Sequence, residues 1–236
     1  MKRPLIGITM DWQAEGSFSP HPHFALRDHY FHAVYNAGGL PVGISHIEEA
    51  VEEYLSRIDG IIVPGGDFAM PQEWYVDAKE PAPYPSSPRL DFDLNVIRKT
   101  LALDKPLLGI CAGMQMMGGL NGCKLTRNLQ KHYNTNINHR DGKSLKKTGH
   151  DIEVLPGTAL TQIISETRFA VNTHHSEAIV KVGNGVVVNA TAPDGVIEGI
   201  ELPGFRFALG VEWHPEYEVT EQDKNIFAAF IAASQR

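Results

Sequence analysis

The sequence predicts a single-domain α/β fold, in which a mostly parallel open sheet carries helices on both faces and an antiparallel strand region follows towards the C-terminus. Up to residue 120, short apolar β-branched runs alternate with segments whose apolar residues have helical spacing. After residue 122 the pattern changes to short strands separated by Gly and Pro-Asp-Gly turns. With 236 residues, 42% of them hydrophobic, the chain is long enough for one sizeable core.

The individual elements follow from local patterns. In the first half, apolar β-branched runs predict strands at 4–9, 40–44, 60–66 and 106–110, and helical spacing predicts helices at 27–37, 47–58 and 90–103. In the second half we expect strands at 151–155, 177–182, 185–191, 196–201 and 206–213, and a closing helix at 221–234. Because no linker-like stretch divides these elements, we expect one domain over residues 1–236.

The segment 67–88 interrupts this alternation. It contains five prolines, with Trp74, Tyr75 and Tyr84 between them. Long loops inside compact domains are usually either functional or disordered, and the aromatic residues favour a packed loop. We therefore predict that 67–88 is a lid or the wall of a pocket.

Composition excludes several classes of function. The net charge of −7 argues against a nucleic-acid surface, and no apolar stretch approaches the roughly 20 residues that cross a bilayer. Two cysteines and no recognisable signal peptide indicate a reduced, cytoplasmic protein. Four N-terminal histidines are possible metal ligands, but no cysteine or acidic cluster accompanies them, so we expect no metal. They are His21, His23, His29 and His32.

A cysteine lies where the strand 106–110 is predicted to end and a helix to begin. The pattern Gly109-x-Cys111-x-Gly113 is the thiol analogue of a nucleophile elbow, in which flanking glycines remove Cβ atoms that would clash with strand and helix. A helix N-terminus also favours thiolate. The same pattern fits a buried cysteine in a glycine-rich turn. Cys123 lacks this context, and we expect no chemical role for it.

A base for this cysteine is supplied by a second predicted strand end. His214 follows Trp213, and Glu216 two residues later can accept a hydrogen bond from one imidazole nitrogen while the other faces Cys111. An oxyanion hole would need backbone N–H donors, for which Ala112 and one glycine of Gly65-Gly66 are the candidates.

Four segments, in order, carry a resemblance to a known family: GICAGMQ (109–115), VNTHHSEA (171–178), APDGVIEGIE (192–201) and GVEWHPE (210–216). They resemble the class I glutamine amidotransferase-like hydrolases, in the γ-glutamyl-γ-aminobutyrate hydrolase branch of peptidase family C26. The resemblance implies a flavodoxin-like fold and the roles of nucleophile for Cys111, base for His214 and orienting carboxylate for Glu216. It also implies acyl transfer from a small γ-glutamyl amide through a thioester, without metal or organic cofactor, in polyamine catabolism.

The resemblance further implies substrate-binding roles for Gln115, Asn172, Thr173 and His175. Three departures from the family pattern affect substrate choice: Ala112 replaces a common arginine, Glu177 replaces a glutamine, and the PGGD turn has one glycine fewer. The acid at 177 either favours a cationic leaving amine or faces solvent.

Two alternative functions stay open. The chain could be a glutaminase subunit that delivers ammonia to a synthetase partner in trans, or a non-catalytic binding module on the same fold. Whether the chain forms a homodimer also stays open.

Overall fold

The computed structural model describes residues 2–140 and 144–235. Within these residues, a nine-stranded sheet and two small two-stranded sheets account for the strands. The strands are β1 Leu5–Thr9, β2 Asp11–Gln13, β3 His23–Ala25, β4 Leu40–Ile44, β5 Gly60–Val63, β6 Leu107–Ile110, β7 Lys124–Thr126, β8 His150–Val154, β9 Arg168–Val171, β10 Ala178–Lys181, β11 Val187–Thr191, β12 Ile197–Glu201 and β13 Ala208–Val211. The helices are α1 Asp28–Asn36, α2 Val51–Arg57, α3 Arg89–Ala102, α4 Ala112–Leu120, α5 Leu129–Tyr133, α6 Leu160–Ile163 and α7 Glu221–Ala233.

The main sheet has the strand order β4-β1-β5-β6-β13-β12-β11-β8-β9. Neighbours from β4 to β13 are parallel, and those from β13 to β9 are antiparallel. This confirms the predicted α/β fold with its antiparallel region. Because β5, β6 and β13 are adjacent and parallel, the segments that follow them emerge at the same edge of the sheet.

Helices cover both faces of the sheet, as the sequence predicted. One buried cluster joins residues of α1 and α7 to Ile8 of β1, and another joins α2, α3 and α4 to Ile61 and Val63 of β5. The apolar residues of β5 thus alternate between the two cores, with Ile62 in the first. A parallel strand buried on both faces reads as a continuous apolar run, which is the pattern that predicted β5.

Some elements differ from the sequence prediction. The segment 177–182 forms β10, but this strand pairs with β7 in a separate small sheet. The edge strand β9 and the β2–β3 hairpin were not predicted, because each has only three or four residues and weak alternation. Strand partners depend on the tertiary arrangement, which local patterns do not contain.

Among the described residues, no helix combines the length and the apolar character that a membrane crossing requires.

Candidate active site

Cys111 lies on a sharp turn between β6 and α4. Its backbone has a positive φ, 51°, with ψ −111°, which is unusual for a residue other than glycine. A Cβ at Gly113 would lie 2.0 Å from the Val63 carbonyl oxygen, and one at Gly109 would lie 2.8 Å from the backbone of Gly113. Both flanking glycines are therefore required for the close approach of α4 to the sheet, as the elbow interpretation predicted.

His214 and Glu216 follow β13 at the same edge of the sheet. His214 Nδ1 lies 2.9 Å from Glu216 Oε1, and both side chains are buried. Since a carboxylate only accepts, Nδ1 carries the hydrogen and donates it to Glu216. The lone pair of the imidazole is then on Nε2, which is buried and has no hydrogen-bond partner among the described residues. A base with this orientation has its accepting nitrogen free for another proton.

The cysteine and the histidine meet at one cavity of about 580 Å³. Both line it, together with Gly65 and Gly66 from the turn after β5. A Cβ placed on Gly65 would be 3.0 Å from His214 Cε1 and 3.7 Å from Cys111 Sγ, so the thiol and the ring both lie beside this glycine. The approach of residues 111 and 214, which the sequence predicted from a hundred positions apart, is thus present in the fold.

The thiol of Cys111 holds its proton more strongly than an ordinary cysteine. Burial raises its pKa well above the usual value, and the negative charges of Glu212 and Asp67 raise it further. The backbone N–H of Ala112 at the start of α4 lowers the pKa, but by less. The start of the helix thus favours the thiolate, as expected, but desolvation of the thiol outweighs this contribution. Ionisation of this thiol requires a base at the moment of reaction.

The turn after β5 supplies the second set of backbone donors. The N–H of Gly65 donates to the Tyr30 hydroxyl at 3.2 Å, whereas the N–H of Gly66 has no acceptor among the described residues. Gly66, with Ala112, is therefore the better candidate oxyanion donor. Which of the two glycines donates to the oxyanion stays a prediction, and the free N–H favours Gly66.

A buried arginine that the sequence did not single out holds this turn in place. Arg89 donates from Nη1 to the carbonyl of Gly65 at 2.8 Å and from Nη2 to that of Pro64 at 2.6 Å. Its Nε donates to Asp93 at 2.7 Å, and both side chains are fully buried. An Arg and an Asp four residues apart on a helix are usually a surface pair. No sequence signal distinguished this pair from that ordinary case.

The residues predicted to bind substrate lie behind the cavity. Gln115 donates to Glu212 at 2.6 Å, and Thr173 donates to the carbonyl of His139 at 2.6 Å. Asn172 donates to the carbonyl of His214 and accepts from its N–H, both at 2.8 Å, so it fixes the backbone of the candidate base. None of these, nor His175, is among the described residues that line the cavity. These side chains are engaged in hydrogen bonds within the protein, and direct contact with substrate stays a prediction.

Glu177 does not face solvent, which was one of its two predicted situations, and its influence on the leaving amine stays a prediction. It is buried, accepts a hydrogen bond from the Tyr75 hydroxyl at 2.7 Å, and does not line the cavity. Burial raises its pKa to about 8. His174, three positions earlier in the chain, lines the cavity. Its pKa is lowered by burial and by the positive charge of Arg140.

The proline-rich segment contributes to the cavity from both of its ends. Asp67 and Phe68 at its start and 85–87 near its end line the cavity. Between them, Trp74 packs so closely on α4 that a Cβ at Gly119 would lie 2.2 Å from its ring. Tyr84 hydrogen-bonds Ser176 at 2.7 Å. The aromatic residues therefore fasten the segment to the body of the protein.

Cys123 and the methionines of α4 are buried in the core of the protein. Both cysteines are free thiols, and Cys123 is buried away from the cavity, where it accepts a hydrogen bond from the N–H of Gly183 at 3.3 Å. Met114, Met116 and Met117 are fully buried core residues.

The sheet order and the cysteine elbow define an α/β protein of the class I glutamine amidotransferase type. A family model described as Peptidase C26 matches residues 4–216, and the chain belongs to this family of hydrolases. It is 30% identical to the Rickettsia prowazekii glutamine amidotransferase-like protein RP404, over 99% of each chain. It is 29% identical to the Escherichia coli K12 γ-glutamyl-γ-aminobutyrate hydrolase PuuD, over 100% of this chain and 95% of the relative.

A solved structure supports the fold. A Thermoplasma acidophilum protein assigned as a GMP synthase component superposes with a TM-score of 0.65 at 17% identity, covering 99% of this chain and 95% of its own. At this level of identity the similarity concerns the fold alone.

Proposed function

We propose that this protein hydrolyses the γ-glutamyl amide bond of a small γ-glutamyl amine, of the γ-glutamyl-γ-aminobutyrate type, and releases glutamate. The observation that carries the proposal is the convergence of Cys111 and an unpartnered His214 Nε2 on one cavity. The relatives named as γ-glutamyl-γ-aminobutyrate hydrolases support the substrate class. A role in polyamine catabolism stays a prediction.

The reaction would begin with proton transfer from the Cys111 thiol to His214 Nε2. The thiolate then attacks the γ-amide carbonyl, and the N–H groups of Ala112 and Gly66 stabilise the negative charge on its oxygen. The protonated ring, stabilised by Glu216, gives its proton to the leaving amine, and a γ-glutamyl thioester remains on Cys111. Water that loses a proton to the same histidine hydrolyses the thioester and regenerates the thiol.

The charges around the cavity suit the glutamyl end of such a substrate. Arg27 lines the cavity beside Tyr30, and its guanidinium can bind the α-carboxylate. Asp11 and Asp67 line it as well and can bind the α-ammonium group. Positive charge from Arg27 would then replace the arginine that the family commonly has at position 112.

The decisive experiment is a panel of γ-glutamyl amides plus glutamine, assayed with the isolated protein and followed by mass spectrometry of acid-quenched samples. We expect glutamate release from the longer amides and a γ-glutamyl adduct on Cys111. Cys111→Ala should abolish both, and Cys123→Ala, a buried thiol outside the cavity, is the matched control with full activity.

Two experimental outcomes would contradict this proposal, and each would favour an alternative function. Weak turnover confined to glutamine would favour a glutaminase subunit that needs a synthetase partner. Tight binding of γ-glutamyl amides without any turnover would favour a non-catalytic binding module.

A further inference from the structure

Three histidines and a glutamate form a buried cluster that the proposed reaction does not use. His139 comes from the segment between α5 and β8, His150 from the start of β8, His175 from the turn after β9, and Glu198 from β12. One possible ligand atom of each lies within 4.8 Å of all the others. The exposed fraction of these side chains is 5% or less.

The distances within this cluster match a tetrahedral metal site. Glu198 Oε1 lies 3.0 Å from His139 Nδ1, 3.3 Å from His150 Nε2 and 3.5 Å from His175 Nε2. His139 Nδ1 and His175 Nε2 are 3.2 Å apart. In a tetrahedral zinc site with bonds of about 2.0–2.1 Å, neighbouring donor atoms are about 3.3 Å apart. The two remaining pairs of donor atoms lie within 4.8 Å, so they would have to approach each other by at most about 1.5 Å to reach that geometry.

The outer nitrogen of each histidine already has an acceptor. His139 Nε2 lies 3.0 Å from Asp194 Oδ2, and His175 Nδ1 lies 3.0 Å from the carbonyl oxygen of Glu177. His150 Nδ1 lies 3.1 Å from the carbonyl oxygen of Asp151. Carboxylates and carbonyls only accept, so these outer nitrogens carry hydrogens, and in a neutral imidazole the inner nitrogen then has the lone pair. Histidine ligands of metals usually have such outer partners.

Three polar atoms of the cluster have no hydrogen-bond partner among the described residues, whereas His139 Nδ1 and His175 Nε2 lie within hydrogen-bond distance of each other. Both carboxylate oxygens of Glu198 and His150 Nε2 are buried with no hydrogen-bond partner among the described residues. A buried carboxylate that stays ionised is stabilised by a nearby cation. An extra proton on one imidazole would bridge a single pair of atoms, whereas a metal ion would contact all four donors at once.

We propose that His139 Nδ1, His150 Nε2, His175 Nε2 and Glu198 Oε1 bind one divalent cation of the zinc type. Nitrogen and oxygen donors in tetrahedral arrangement suit Zn²⁺, and four protein ligands leave no open position for substrate, so the site is structural. The ion would connect the segment between α5 and β8 to β8, to the turn after β9 and to β12. In that segment Arg140 follows His139 and contacts Asp67 at 3.2 Å, so the ion would also hold part of the cavity rim.

Metal content and spectroscopy test this site. Protein stripped with a chelator is titrated with Zn²⁺, and bound metal is counted by plasma mass spectrometry. Stripped protein is also loaded with Co²⁺, whose visible absorption is intense in tetrahedral sites. We expect one metal per chain, tetrahedral Co²⁺ bands, and an unfolding temperature that rises with the Zn²⁺ concentration.

Three variants locate the metal. Glu198→Gln should lose stoichiometric binding. Asp194→Asn, which changes a partly exposed outer partner and leaves the cluster intact, should weaken Zn²⁺ binding about 10–100-fold. His132→Gln, at an exposed position on α5, is the matched control and should bind like the wild type.

Two results would overturn the proposal. One is a stripped wild-type chain that takes up no stoichiometric Zn²⁺. The other is wild-type affinity in Asp194→Asn, which decides the matter even if Glu198→Gln does not fold. Since these readouts do not involve turnover, they are independent of the proposed hydrolase activity.

Discussion

Gly65 lies beside both the candidate nucleophile and the candidate base, and Gly65→Ala tests their geometry. The added Cβ would lie 3.0 Å from His214 Cε1 and 3.2 Å from Cys111 Cβ. Carbon atoms in ordinary contact are about 3.5–4.0 Å apart, so these contacts are too short by about half an ångström. The backbone cannot easily retreat, because the N–H of Gly65 is bonded to Tyr30 and its carbonyl to Arg89. The ring and the thiol must move instead.

The expected loss follows from that displacement. Misplacement of a catalytic group by about 1 Å can lower the rate about 10²-fold. A displacement of about half that size should lower kcat about 10-fold, which corresponds to about 1.4 kcal/mol in the activation free energy. Gly65 does not have a left-handed φ, so the substitution adds no backbone strain of that kind. The assay measures kcat and KM for glutamate release, together with the thermal unfolding midpoint.

A matched glycine provides the control for this variant. A Cβ at Gly204 would meet nothing within 4 Å, and Gly204 does not have a left-handed φ either. Gly204→Ala should therefore keep the wild-type kcat. If Gly65→Ala retained kcat within about two-fold of wild type at full substrate saturation, the inferred arrangement of ring and thiol would be refuted.

Three further substitutions test the site and its support. Glu216→Gln should lower kcat by about 10²–10⁴ with little change in unfolding temperature, because the His214 tautomer is no longer fixed; a kcat near wild type would remove Glu216 from the mechanism. Arg27→Gln should raise KM more than it lowers kcat, with partial recovery in Arg27→Lys, as measured on the γ-glutamyl panel; an unchanged KM would exclude Arg27 as the carboxylate partner. Burial raises the pKa of Asp223 to about 6, so its contribution to stability is full below about pH 4 and is lost as the pH rises through about 6. Asp223→Asn should remove this pH dependence of the unfolding free energy, which amounts to at most about 3 kcal/mol. Denaturant unfolding at several pH values measures it, and a variant with the same pH dependence as the wild type would contradict the assignment.

The positions of the candidate catalytic residues that follow strands could be predicted, because these positions depend on local backbone geometry. Gly109 and Gly113 flank Cys111 for a steric reason that any strand-to-helix elbow imposes, and the structure has the corresponding contacts with Val63 and Met114. Glu216 is two residues from His214 across a proline, so their hydrogen bond is also local.

The electrostatic surroundings of the same residues were not predictable. The helix N-terminus next to Cys111 is visible in the sequence, but its burial and the charge of Glu212 are not, and these dominate the pKa of the thiol. Arg89 lies 24 positions from the carbonyl it binds, and nothing in its neighbours distinguishes it from a surface residue. Asn172, Thr173 and His175 were predicted to bind substrate, whereas the described residue of that stretch that lines the cavity is His174.

The sequence by itself determined the order of strands and helices, the elbow at Cys111 and the local pairing of His214 with Glu216, because hydrophobic periodicity, glycine sterics and short spacing act within a few residues. Only the tertiary structure decided which side chains line the cavity and which lie behind it. It alone brought His139, His150, His175 and Glu198 together from four separate elements, since their convergence depends on how the strands pair and twist.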